Sequence, residues 1–274
     1  MLRDECLACN EKNSLGYFKE EDKILSCNFC GAIFCEDEFV DKIWYNSHYN
    51  NLNIFTKIII KIIRKYFSKQ NSDQYLRYLK LKTNMNFKNA LDIGAKYGTL
   101  VNDLNKMGID AYGIESNQQN IKLAVTKKIK WAHFDENYRS ETKYDLVCLT
   151  QMLYYFRDNY AILKSVKNML NRNGLIFIST INPQSEILKK ELKSQLYNFN
   201  TNMVLSKKNF ESLHRKLGLK MLDYTTYRSD YAISVVTSKN KNIDRLKNYL
   251  KGRKRFKPDL QGNIAFVLLK PFQA

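Results

Sequence analysis

The sequence predicts an α/β fold: seven strands in a mostly parallel sheet, helices on its flanks, and a small cysteine-rich module in front. Three observations carry this reading. From residue 87 onward, short apolar runs alternate with stretches of helical periodicity, the pattern of βαβ units. Glycines at 94, 108, 174 and 218 punctuate that alternation. Four of the six cysteines lie before residue 31, ahead of the first strand of the sheet.

The elements follow in order. Residues 88–93 read as a buried strand ending in a glycine turn, and 100–107 as a helix stopped by Gly108. A second strand is expected at 110–114, a second helix at 117–127 and a short third strand at 130–134. Residues 144–149 are mostly apolar, as befits a strand covered on both faces. An amphipathic helix at 160–170 leads through a turn at 171–174 into a fifth strand at 175–180. Ser206 and Gly218 bracket a helix at 207–217 as N-cap and C-terminal stop. The last two strands are 219–227 and 263–270, with a basic, partly helical stretch between them. The chain divides into a cysteine-rich module at 1–36, a helical bridging segment at 37–86 and the α/β domain at 87–274.

Hydrophobic residues make up 44% and charged residues 26%, which excludes an intrinsically disordered chain. The formal charge of +18 would draw phosphates or anionic lipid. Lysine far outnumbers arginine, however, and asparagine and isoleucine are abundant, a mix that AT-rich coding produces unselected. Charge alone therefore assigns no partner. The start, MLRDECLACN, has no apolar signal region, and no apolar run approaches the ~20 residues that cross a bilayer. The expected location is cytoplasmic, with peripheral contact at the inner face of the membrane left open by one segment. Residues 51–69 place apolar side chains at helical spacing among basic ones. They read as a helix lying across the sheet, or alternatively as an interfacial helix on anionic lipid.

Cys6-x-x-Cys9 and Cys27-x-x-Cys30 have the spacing of a four-thiolate zinc site. Each pair forms a tight knuckle, and the complete shell leaves no open position for a catalytic water, so the role expected of the metal is structural. A module this small needs the metal to fold. Cys35 lacks a paired partner, and Cys148 lies within an apolar strand.

The main chemical signal is Ala90-Leu91-Asp92-Ile93-Gly94-Ala95-Lys96-Tyr97-Gly98, a strand that ends beside an acid and turns sharply into a helix. The next strand runs into Glu115, placed to accept hydrogen bonds from both ribose hydroxyls of an adenosine. The three-glycine spacing of a dinucleotide site is absent, and Asp92 would repel a pyrophosphate while welcoming an ammonium group. Those electrostatics favour S-adenosylmethionine over a nicotinamide dinucleotide.

ALDIGAKYG…GIDAYGIESN resembles the first motif and acidic second-strand loop of class I S-adenosylmethionine-dependent methyltransferases. YDLVCLTQMLYYFRD…ILKSVKNMLNRNGLIFISTIN resembles their fourth strand, the loop after it, a helix and their fifth strand. CLACN…CNFCGAIF resembles the zinc-ribbon head of bacterial methyltransferases from polysaccharide and secondary-metabolite clusters. The resemblance implies a Rossmann-like sheet. It also implies that Asp92, Gly94, Ala95 and Gly98 line the methionine end of the cofactor. By the same carry-over Glu115 holds the ribose, Ser116, Asn117 and Asp135 approach the adenine, and Gln151 and Met152 border cofactor and acceptor.

Two departures from the family pattern stand out. Lys96 occupies the middle of the glycine turn, and Tyr154 and Tyr155 stand where many relatives carry an acid and a histidine. The proton-handling candidates are His48, Tyr154 and Tyr155; His133 and His214 read as structural or bland. The acceptor expected is a small molecule or a glycan, including a lipid-linked one, with methylation at a sugar oxygen or carbon. An RNA acceptor and a non-catalytic binding protein of the same fold are the competing readings. Oligomeric state is not legible.

Overall fold

The computed structural model describes residues 6–9, 11–13, 15–17, 24–35, 54–185, 202–229, 256–259 and 262–272. The cysteine module contributes β1 (Leu15–Tyr17), β2 (Ile24–Cys27) and β3 (Ile33–Cys35), an antiparallel meander. Helix α1 (Ile54–Lys82) follows. The α/β part then runs β4 (Asn89–Ile93), α2 (Thr99–Lys106), β5 (Asp110–Glu115), α3 (Gln118–Lys122) and β6 (Ile129–Trp131). It continues with β7 (Tyr144–Thr150), a 3-10 turn (Leu153–Tyr155), α4 (Asn159–Asn168) and β8 (Leu170–Ile181). The last elements are β9 (Met203–Val204), α5 (Lys207–Leu217), β10 (Leu219–Ser229), β11 (Phe256–Pro258) and β12 (Ile264–Pro271).

The large sheet has the order β11-β10-β12-β8-β7-β4-β5-β6. Strands β4 to β8 pair in parallel, whereas β12 runs antiparallel to both β8 and β10. The seven expected strands are all there, and the short β11 adds an eighth at one edge. Chain order reverses at β4: the chain moves outward to β5 and β6, then returns to β7 on the other side. A crevice at the carboxyl ends of β4 and β7 is the switch point at which such sheets hold ligands.

Alternation along the strands explains the layers. Leu91, Ile93, Val147, Leu149, Ile176 and Ile178 pack with Ile162, Leu163 and Val166 of α4 and Phe210 and Leu213 of α5. Ala90, Leu146, Cys148 and Phe177 face the opposite way, onto Tyr75, Tyr78 and Leu79 of α1 and Val101 and Leu104 of α2. Tyr75 and Tyr78 make edge contacts with Phe266, at ring centroids of 5.4 and 5.3 Å. The Tyr78 hydroxyl reaches Asp223 at 2.8 Å, and Lys82 pairs with the same carboxylate at 2.7 Å. The carboxyl-terminal half of α1 thus lies across the sheet. The apolar positions read at 54–67 belong to side chains outside the described residues. Among the described residues, no helix is long and apolar enough to cross a membrane.

Three differences from the sequence reading have local causes. Helix α3 is shorter than 117–127 because the chain bends back at Leu123, and the Val125 amide is spent on the Tyr97 carbonyl at 2.9 Å. The turn expected at 171–174 is a bulge inside β8, where the pairing jumps from Tyr144↔Leu170 to Leu146↔Leu175. Strand β6 ends at Trp131, so His133 lies beyond it and is exposed rather than within a strand. Most of the basic stretch between the last two expected strands, like His48, lies outside the described residues.

Candidate active site and cysteine cluster

The glycine turn after β4 is fastened to the end of β5. The amides of Gly94 and Ala95 both donate to the Ile114 carbonyl, at 2.9 and 3.0 Å, and Gly98 closes the turn onto the Ala95 carbonyl at 2.7 Å. Gly94 has φ of 73°, a left-handed value that favours glycine. A Cβ there would also stand 2.3 Å from Met152 Sδ, so the Met152 side chain lies directly over the Gly94 backbone. Lys96 holds a φ of 49° with an exposed side chain, which gives the family's usual glycine at this place a conformational reason.

Asp92 is 3% exposed, and its Oδ1 is buried without a hydrogen-bond partner. Burial, reinforced by the nearby negative charge of Glu115 and partly offset by Lys96, pushes its carboxyl up to about 8. Glu115, at the end of the adjacent strand, is held from both sides. Its Oε2 accepts from the Lys96 amide and its Oε1 from the Asn117 amide, each at 2.8 Å. The two acids lie near one another, one with an unpaired oxygen and one fixed in orientation.

The remaining expected positions have contacts of their own. Asn117 caps α3 by accepting from the Gln119 amide at 2.9 Å, and the Ser116 carbonyl accepts from Trp131 Nε1 at 2.9 Å. Half-buried Asp135 accepts from the Asn137 amide at 2.8 Å. Gln151, with φ of 58°, donates through Nε2 to Ser179 Oγ at 2.7 Å and receives the Tyr154 hydroxyl at 3.3 Å. Tyr154 is 3% exposed and packs with Ile24, Ile33, Ile181 and Val204; Tyr155 lies half-buried against the same cluster. Sequence reasoning missed Ser179, whose only signal was its place at the end of an apolar strand.

The four cysteines of the two knuckles converge, all sulfurs lying within 4.8 Å of one another. Cys6 and Cys30 sulfurs are 3.8 Å apart, and those of Cys9 and Cys27 are 3.6 Å apart. A tetrahedral zinc with bonds of about 2.3 Å requires sulfur separations of about 3.8 Å. None of the four is in a disulfide, and their mutual spacing is one that a single metal ion could bridge. Cys35 is not part of the cluster, and its amide serves β3 by bonding the Asn202 carbonyl at 3.1 Å. Hydrogen bonding from Cys6 brings the Cys30 thiol down to about 5, while burial pushes Cys9 up to about 11. A thiolate already favoured at one corner suits a cation at the centre.

The cysteine sheet is not self-contained. Its fourth strand is β9, which pairs Val204 with Ile33 and Met203 with Phe34. Cys6, Cys27, Cys30 and Phe34 share one apolar cluster with Ile162, Leu205 and Phe210. No sequence signal marked the two residues of β9 as a strand.

Comparison with known proteins agrees with this architecture. Residues 63–224 match a family described as a methyltransferase domain. The ubiquinone biosynthesis O-methyltransferase of Pelagibacter ubique is 26% identical over 163 residues, covering 56% of this chain and 61% of the relative. The chain therefore spans under two-thirds of that relative's length. A putative sarcosine dimethylglycine methyltransferase from Galdieria sulphuraria superposes with a TM-score of 0.53 at 16% identity, over 74% of this chain and 85% of that one. A SAM-dependent methyltransferase from Archaeoglobus fulgidus gives 0.53 at 14% identity, over 74% and 94%. At these identities the solved structures establish the fold.

Proposed function

Since the chain belongs to the methyltransferase domain family, we propose that it transfers a methyl group from S-adenosylmethionine to a small-molecule acceptor. The observation that carries this is Asp92, a buried carboxyl with an unpaired oxygen, close to a Glu115 carboxylate already oriented by two amides. Burial of an unpartnered carboxyl is costly, and a cationic ligand group offsets that cost. The donor set therefore fits a cofactor with an ammonium at one end and a ribose at the other.

Asp92 receives the ammonium and Glu115 accepts from the ribose hydroxyls. Gly94, Ala95 and Gly98 keep the turn low enough for close approach, while Ser116, Asn117 and Asp135 border the adenine. When bound, the cofactor supplies an electrophilic methyl on a sulfonium. The protein's own work is alignment, exclusion of water and disposal of the acceptor's proton. Gln151, locked by Ser179, fixes the loop that carries Met152 and the 3-10 turn beside the acceptor. Of the proton-handling candidates, His48 lies outside the described residues and the Tyr154 hydroxyl is engaged with Gln151. Tyr155 is the half-buried phenol we place at the acceptor side.

The finer acceptor reading is a hydroxylated compound methylated at oxygen, a sugar in surface-polysaccharide biosynthesis or a phenol. The phenol rests on the relative's name, the sugar on the cysteine head. Three buried cysteines and the half-buried Cys9, at tetrahedral spacing, support a structural zinc. Calorimetry with S-adenosylmethionine tests the core of the proposal: Asp92→Ala and Glu115→Ala should each weaken binding at least 10-fold. Unchanged affinity in both removes the pocket. A labelled-methyl screen over sugars and phenols then separates the acceptor classes, with RNA at several salt concentrations as the competing class.

A further inference from the structure

Helix α5 belongs to the α/β domain, yet its first turn sits on the cysteine cluster. Ser206, its N-cap, is fully buried and donates its hydroxyl to the Cys30 carbonyl. Asn209 closes the capping box: its Oδ1 accepts from the Ser206 amide at 2.8 Å, which fixes the orientation of the carboxamide. Asn209 is 1% exposed, and its Nδ2 is buried without a hydrogen-bond partner, on the same turn whose Ser206 hydroxyl reaches both the Cys30 carbonyl and Asn209 Oδ1. Two lysines of the same helix cap the knuckles. Lys216 Nζ donates to the Ala8 carbonyl at 3.1 Å and Lys208 Nζ to the Phe29 carbonyl at 3.5 Å.

Four thiolates around a divalent cation leave a doubly negative centre, which in a buried setting needs donors around it. The knuckles supply some from their own backbone, with the Ala8 amide on Cys6 Sγ and the Cys30 amide on Cys27 Sγ, both at 3.4 Å. The α/β domain supplies the rest. The first turn of α5 meets Cys30 through Ser206, two ammonium groups flank the knuckles, and one buried carboxamide N–H on that turn lacks a partner.

We infer that Asn209 is an outer-shell partner of the metal site, its unpaired Nδ2–H turning to Cys30 Sγ once a metal is held there, and that α5 makes metal binding and docking of the cysteine module a single event. This rests on the reading of the four cysteines as a metal site. Asn209 acts here as a positioning residue.

The test uses the full chain loaded with Co2+ as a spectroscopic stand-in and with Zn2+ for affinity. Asn209→Asp keeps an oxygen for the Ser206 amide but removes the nitrogen donor; Asn209→Leu removes both and checks that the fold survives. In each, competition against a chelating dye should show Zn2+ held about 10–100-fold more weakly. The cobalt d–d bands should keep their tetrahedral four-thiolate form in Asn209→Leu while the sulfur-to-cobalt charge-transfer band moves to lower energy, because the sulfur has lost a hydrogen bond. A helix that only props up the module would leave that band in place. Unmoved bands and unchanged affinity in both variants overturn the inference. If the unaltered protein gives no thiolate–cobalt bands at all, the metal-site reading itself is what falls.

Discussion

The backbone amide of Lys96 donates to Glu115 Oε2 at 2.8 Å, so the residue that departs from the family's glycine turn is also one of the two that steady the carboxylate proposed for the ribose. Lysine is tolerated because the bond uses its main chain, while its side chain is exposed. The cost is a left-handed φ of 49° in a residue with a Cβ, about 1–2 kcal/mol. Lys96→Gly should therefore raise the melting temperature by a few degrees and keep S-adenosylmethionine binding within about 3-fold. Lys96→Pro removes the donor and cannot adopt the φ; it should weaken binding at least 10-fold. Equal binding in both variants would separate the amide from the site.

Asp92 makes the same pocket pH-sensitive. Its folded value, about 8, lies above the ordinary 3.8, so the free protein holds this carboxyl largely protonated at neutral pH. Receiving an ammonium requires the ionised form, so binding at pH 7 should release a proton. Affinity should rise by up to ~10-fold per unit until about pH 8, then fall as the ligand's own amine loses its charge. Calorimetry in two buffers of different ionisation heat reads the proton release, which should vanish in Asp92→Asn.

The same shift has a stability sign. Ionising this group destabilises the fold, a penalty absent below pH 3.8 that grows with pH and is complete above about 8. Asp92→Asn should therefore raise the ligand-free melting temperature more at pH 8.5 than at pH 5, while abolishing the proton release. A uniform shift across pH would mean that the carboxyl is not the cause.

Gly94 has two reasons to be glycine, and they can be separated. Its φ of 73° penalises any Cβ, and that Cβ would meet Met152 Sδ at 2.3 Å. Gly94→Ala should lose at least 10-fold in cofactor affinity and about 1–2 kcal/mol in stability. Adding Met152→Ala removes the collision but not the backbone strain. The double variant should thus recover only part of the lost stability, measured as a coupling energy in denaturant unfolding.

Much of this was legible in the sequence because local chemistry fixed it. Asp92, Gly94 and Glu115 sit at strand ends, where an apolar run followed by an acid or a glycine leaves few geometries. Ser206 and Gly218 bracket α5 as their types demand. What was not legible depends on tertiary contact. Tyr154 could be read only as an aromatic after a strand, and its burial against Ile24 and Ile33 comes from docking of the cysteine sheet. Met203 and Val204 become a strand only because β3 offers an unpaired edge. Asn209 looked like an ordinary helix residue, since the Cys30 knuckle that its helix start meets lies far away in sequence.

That docking leads to the last expectation. The Asn202 amide donates to the Tyr154 carbonyl at 2.8 Å, and its side-chain nitrogen to the Tyr155 carbonyl at 2.6 Å. The next two residues form β9 on the cysteine sheet. The turn that follows Gln151 and Met152 is therefore tied to the module in which the four cysteines, the proposed metal ligands, converge. Stripping the metal, or Cys27→Ser, should lower the melting temperature by on the order of 10 °C in one transition, because module and domain share an apolar cluster. Cofactor affinity should fall a few-fold and return with added Zn2+ in the stripped protein but not in Cys27→Ser. Scanning calorimetry with and without metal is the check. Two separate transitions, with the methyltransferase part melting at its original temperature, would show that the module rides on the domain without supporting it.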